Sequence, residues 1–63
     1  MTIQVLVGDI DDDDNKELVD WVIKNCDGFL YSVSTDNGYD GLLNTELFFA
    51  TEQDAVIFNL RYF

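Results

Sequence analysis

Carboxylates are the most abundant reactive groups in this chain. Asp9, Asp11 and Asp13 alternate like the first ligands of an EF-hand calcium loop, and Asp20 falls at the twelfth place. The match then fails twice. Asp14 stands where that loop needs glycine for its sharp turn, and the closing acid should be glutamate. A helix is also expected to begin before such a loop would close. No dedicated metal site is assigned, and the run offers at most loose screening of Ca2+ or Mg2+. Other chemistry is thinner still. There is no histidine to serve as base or ligand. Ser32 and Ser34 lie on a strand with no base nearby in sequence and read as surface hydroxyls. Cys26 is the single cysteine, so it makes neither an internal disulfide nor a zinc site, and its place at a helix end reads as small core packing. Gly38 and Gly41 lack the lysine and hydroxyl spacing of a phosphate loop. Paired carboxylates can do acid–base work, but these crowd a solvated loop with no sign of a pocket. The sequence assigns no catalytic residue and no cofactor, and an enzyme is not expected.

The acids do form a pattern suited to binding. Asp13, Glu17 and Asp20 recur at i, i+4 and i+7, which lines them along one helix face with neighbours about 5–6 Å apart. Asp11, Asp12 and Asp14 thicken the start of that line, and Asp27 extends it past the helix. Phosphates on one DNA strand have a comparable spacing, each nucleotide rising about 3.4 Å while turning around the axis. Such a stripe suits the phosphate-reading lysines and arginines of a nucleic-acid enzyme. The competing reading is a solvated helix face whose charge only keeps the protein soluble. Against it, only Lys16 and Lys24 lie on this helix to cancel the field. Trp21 falls at the border between the acidic line and the apolar stripe, as a core residue or as an aromatic anchor of the kind enriched at binding hot spots. Asp36 and Asp40, and Glu52 and Asp54, are candidates for further acidic patches.

The whole chain supports this bias. Thirteen acids face Lys16, Lys24 and Arg61, for a net charge of −10. That charge repels nucleic acid and anionic membranes and attracts basic surfaces. With 48% apolar and 14% aromatic residues the chain is too hydrophobic for disorder. No apolar run approaches the ~20 residues that cross a bilayer, and the N-terminus lacks the pattern of a signal peptide. A soluble cytoplasmic protein in a reducing compartment is expected. A single domain of 63 residues has a thin core, burying roughly 60% of the unfolded surface. Disulfide and zinc are ruled out, so partner subunits are the favoured source of extra stability.

The elements that must position the acids follow from periodicity. Thr2 to Val7 alternates as a strand that Gly8 ends. A helix runs from about Asp13 to Cys26, with Leu18, Val19, Val22, Ile23 and Cys26 as its apolar stripe. Aspartates at its start cap free N–H groups and meet the positive end of the helix dipole, and Asp27-Gly28 supplies a stop. Phe29 to Ser34 is a second strand, with Phe29, Tyr31 and Val33 on one face. Turn formers fill Asp36 to Gly41. Leu42 to Ala50 is a third strand, with Leu43, Thr45, Leu47 and Phe49 on one face. Thr51 caps a last helix with Asp54 in the capping-box place, and Ala55, Val56, Phe58, Leu60 and Tyr62 supply its apolar contacts.

This order, β-α-β-β-α, predicts an α+β domain. A right-handed crossover leaves the first two strands parallel, and the third strand fills the gap between them. The result is a three-stranded mixed sheet in order 1-3-2 with two helices on one face, a ferredoxin-like arrangement lacking its last strand. The edge of strand one, Thr2 to Val7, is then unpaired, and the helix-free face carries Leu6, Leu30, Leu42 and Phe48 beside Gln4, Ser32 and Glu46. Exposed surface of that kind invites self-association.

The segment from Glu46 to Phe63, ELFFATEQDAVIFNLRYF, resembles the ends of many short bacteriophage reading frames. Those often finish with an aromatic strand, an acidic helix cap, then Ala, Phe, Leu and a basic-aromatic tail. The likeness spans under a third of the chain and carries over no functional residue. It implies a small acidic phage accessory protein, a group that includes DNA mimics and inhibitors of host polymerases, nucleases and defence systems. The expectation is an inhibitor or modulator in the host cytoplasm that occludes the basic channel of a nucleic-acid-processing protein. It would bind neither nucleic acid nor membrane directly. Its contacts would be Asp11, Asp12, Asp13, Asp14, Glu17, Asp20 and Trp21. The alternative is a structural or assembly subunit, such as a homodimer, joined through the strand-one edge or the apolar sheet face.

Overall fold

A computed structural model describes residues 2–36 and 41–63. The turn-forming residues Asn37 to Asp40, with the acid Asp40 and Gly38 among them, lie outside the described residues. The element order is β1 (Ile3–Ile10), α1 (Asp12–Asn25), β2 (Phe29–Asp36), β3 (Leu43–Phe49) and α2 (Glu52–Tyr62). The sheet order is β1-β3-β2. Both hydrogen-bonded pairs are antiparallel, so the sheet is antiparallel throughout and not the mixed sheet expected: β1 and β2 run the same way but never pair, because β3 lies between them. Leu18, Val22 and Cys26 of α1 and Ala55 and Phe58 of α2 join Leu47 and Phe49 of β3 in one buried cluster. Both helices therefore cover one sheet face, as the β-α-β-β-α order predicts.

Two bulges change which side chains share a face. Gly8 does not end β1. It sits at φ +96° beside a register shift between Leu6 and Gly8, and the strand continues to Ile10. An extra residue in one strand shifts the alternation by one. Val7 and then Ile10, not Asp9, thus pack toward the core. The positive φ favours glycine here. In β2 the shift lies between Phe29 and Tyr31, which leaves Leu30 as the extra residue. Phe29 still faces the core, where its ring meets Phe49 at 5.8 Å. Tyr31 and Val33 do not share its face. They pair with Phe48 and Glu46 on the helix-free side, while Ser32 and Ser34 pair with Leu47 and Thr45 on the helix side.

The helices differ from expectation in smaller ways. Ile23 is 60% exposed and Leu60 82% exposed, so neither belongs to the core, and Val56 is exposed too. Ile57 packs against the core in their place. The α2 cap forms as expected at Thr51. The Asp54 backbone N–H donates to Thr51 Oγ1 at 3.3 Å, and that hydroxyl donates to Asp54 Oδ2 at 2.6 Å. Gly28 serves this cap and is not a left-handed helix stop. A Cβ at Gly28 would run into the Asp54 carboxylate, and the Gly28 carbonyl accepts from Ala50 N–H at 2.7 Å. α1 closes instead at Cys26, whose N–H reaches Val22 O. The Cys26 thiol is buried, and burial pushes its pKa up, with the negative charges of Asp54 and Asp27 adding to the effect. It packs as a core residue and is poorly disposed to form the reactive thiolate.

Candidate functional site

The strand directions concentrate acids at one end of the molecule. β1 and β2 both leave the sheet at the end where β3 begins, with Ile10 and Asp36 both paired to Leu43, and Asp9 paired to Asn44. α1 starts directly after β1, so Asp11, Asp12, Asp13 and Asp14 lie at this same end. All four are exposed. Asp11 is the N-cap, and its Oδ1 accepts from Asp14 N–H at 2.8 Å. Asp12, Asp13 and Asp14 fill the first turn, where negative charge meets the positive end of the helix dipole. Local structure thus accounts for Asp11 fully and for its followers in part.

From that end the charge runs along α1. At 3.6 residues per turn, Asp13 and Asp20 lie on the side opposite buried Leu18 and Val22, and Glu17 lies on the flank between that side and the core, where it lines a cleft with Leu18. Asp12, Asp13, Glu17 and Asp20 have no ion pair or side-chain hydrogen bond to another described residue. Lys24 follows Asp20 at i+4 on the same side, so the negative line stops there, and Asp27 lies beyond the helix in a turn. Of the other acids, Asp54 is held in its cap and Glu52 is exposed at the start of α2. Among the described residues no three acids or thiols converge closely enough to hold a metal.

Trp21 borders the acidic line, one helical turn after Glu17 on the flank toward the core. It is partly buried and packs against the core, edge-on to Tyr62 with ring centroids 5.6 Å apart. The Arg61 guanidinium lies 5.9 Å from the Trp21 ring and 5.3 Å from that of Tyr62. The structure therefore brings Asp11, Asp12, Asp13, Asp14, Glu17 and Asp20 together and places Trp21 on the flank of α1 that faces α2.

Two features escape a reading of the sequence. The first is a polar staple. Asn15 Nδ2 donates to Thr45 Oγ1 at 2.8 Å and to Ser34 Oγ at 3.0 Å. Thr45 is fully buried and hands its own hydroxyl proton to Leu43 O. This network ties the start of α1 to β2 and β3 and so fixes the direction of the acidic turn. The second is a cleft of about 270 Å³ beside that turn. β1 supplies Val7 and Ile10, α1 supplies Asp14, Glu17 and Leu18, and α2 supplies Tyr62, followed by its C-cap Phe63. Leu18 is buried while the two carboxylates are exposed, so the acids sit at the mouth of an apolar recess. Its one sequence signal is Ile10, an apolar residue inside a run of aspartates.

The opposite sheet face is free of helices. Tyr31 stacks on Phe48 at 4.6 Å, Leu6 is 66% exposed, and Leu30 and Val33 are exposed beside them. A Gln4–Glu46 hydrogen bond of 3.0 Å crosses this patch between β1 and β3. No helix of the described residues is long and apolar enough to cross a membrane. Comparison with known protein families, with curated proteins and with solved structures yields no match for this chain.

Proposed function

We propose that this protein is a non-enzymatic binding module that docks its acidic end on the basic surface of a nucleic-acid-processing protein. In this reading it acts in the cytoplasm of a bacterial host and inhibits or modulates its partner by occupying the place of a DNA strand. One observation carries the proposal: Asp11 to Asp14, Glu17 and Asp20 are held together and exposed at one end and side of a small fold. Self-repulsion among them is unfavourable, and folding alone needs only the cap and part of the first turn. A basic partner relieves that repulsion and is drawn in from a distance by the field. The phage-like C-terminal pattern supports an accessory role of this kind.

The immobilised protein, exposed to a bacterial lysate, is expected to retain basic nucleic-acid-binding proteins and to release them when duplex DNA is added. Retention that duplex DNA leaves untouched would count against the mimic. A second reading has its own observation, the exposed Leu6, Leu30, Tyr31 and Val33 on the helix-free face, with half-buried Phe48 stacked under Tyr31. It makes the protein a self-associating assembly subunit. Light scattering at micromolar concentration should then find an oligomer that added salt does not dissociate; a strict monomer removes this reading.

A further inference from the structure

We propose that the cleft beside the acidic turn is a receptor for one arginine side chain of the partner. This rests on the docking reading above and adds the group that is recognised. At about 270 Å³ the cleft falls just below the ~300–1,000 Å³ typical of small-molecule sites. It suits a single side chain more than a cofactor. Its walls are of two kinds. Val7, Ile10 and buried Leu18 make an apolar base, and Tyr62 adds an aromatic wall. Asp14 and Glu17 place two carboxylates at the mouth, and among the described residues no basic one lines the cleft.

That combination matches a group with an apolar stem and a cationic head. Lysine and arginine both bury their stems along apolar surface and keep the charge outside. Arginine fits better, because its planar guanidinium pairs with carboxylates through fixed donors and stacks on aromatic rings. The protein already makes one such contact beside the cleft, between Arg61 and the ring of Tyr62. With a net charge of −10, the protein also attracts the cation before contact. The acidic line then steers the partner, and the cleft sets its register by seating one arginine.

The test is a titration of the 15N-labelled protein with three capped tripeptides, acetyl-Gly-X-Gly-amide. X is arginine, citrulline (the same stem without the charge) or leucine. The arginine peptide should shift the amides of Val7, Ile10, Leu18 and Tyr62 in a saturating manner. Citrulline and leucine should bind at least about tenfold more weakly, the scale of one charge-assisted hydrogen bond. Glu17→Gln, an exposed change that leaves the amide spectrum dispersed, should weaken the arginine peptide by a similar factor. Three results overturn the inference: arginine shifts confined to Asp11 to Asp13, equal binding of all three peptides, or no saturating shift. The first of these leaves docking by the acidic line intact, and the fate of that reading is decided separately by DNA displacement of a captured partner.

Discussion

Phe58→Ala should leave much of the chain unfolded at room temperature. Phe58 is fully buried, and its ring meets those of Phe49, Tyr62 and Phe63 at centroid distances of 6.1, 5.0 and 5.9 Å. It joins β3 to α2, and through Tyr62 it reaches Trp21 on α1. Truncating a buried phenylalanine to alanine costs about 3–5 kcal/mol, because the cavity only partly collapses. A domain of this size rarely has more than about 3–5 kcal/mol from its core, so the loss rivals the total. Leu60→Ala, two residues away on the exposed side of α2, should change stability by no more than about 0.5 kcal/mol. Urea unfolding followed by Trp21 fluorescence compares the two, since Trp21 packs against this core. A Phe58→Ala midpoint equal to that of the native chain would show that the core lies elsewhere.

Replacing Asp11, Asp12, Asp13 and Asp14 together by asparagine should weaken binding to a captured basic partner about tenfold or more and leave the fold in place. The two effects separate because they depend on different properties of the same residues. Asparagine caps a helix as well as aspartate does, so position 11 can still accept from the N–H of residue 14. Lost dipole interactions, each a fraction of a kcal/mol, are offset by relief of repulsion among four adjacent charges. Asn15 is untouched and still ties α1 to Thr45 and Ser34. Binding has no such compensation. Each exposed charge contact contributes about 0.3–1 kcal/mol, and four together come to about tenfold or more in affinity. An unchanged thermal transition with weakened binding is the expected pair of results; unchanged affinity would remove the acidic turn from the interface.

The sequence carries the element order, the 1-3-2 sheet and the shared helix face because each rests on local periodicity plus one topological rule. It carries the Asp11–Asp14 cluster because the caps are local. What it does not carry depends on single extra residues. A bulge at Leu30 puts Tyr31 rather than Ser32 on the open face, and a bulge at Gly8 sends Ile10 rather than Asp9 toward the core. Period-2 reasoning has no way to see an inserted residue, although glycine inside an apolar strand is a hint. Gly28 is required by Asp54, twenty-six positions later in the chain, and no local rule reveals that approach. The cleft is invisible for the same reason: its walls come from β1, α1 and the end of α2, and they meet only because β1 continues beyond the glycine expected to end it.

The central claim is that charge at one end of this fold governs its binding. The most direct measurement is the dissociation constant for a purified captured partner as salt is raised. Screening lengths fall from about 10 Å at 0.1 M to about 3 Å at 1 M. Affinity should therefore drop steeply with salt in the native protein and less steeply when Asp11 to Asp14 are asparagine. An affinity that salt barely changes, the same in both proteins, would contradict the account.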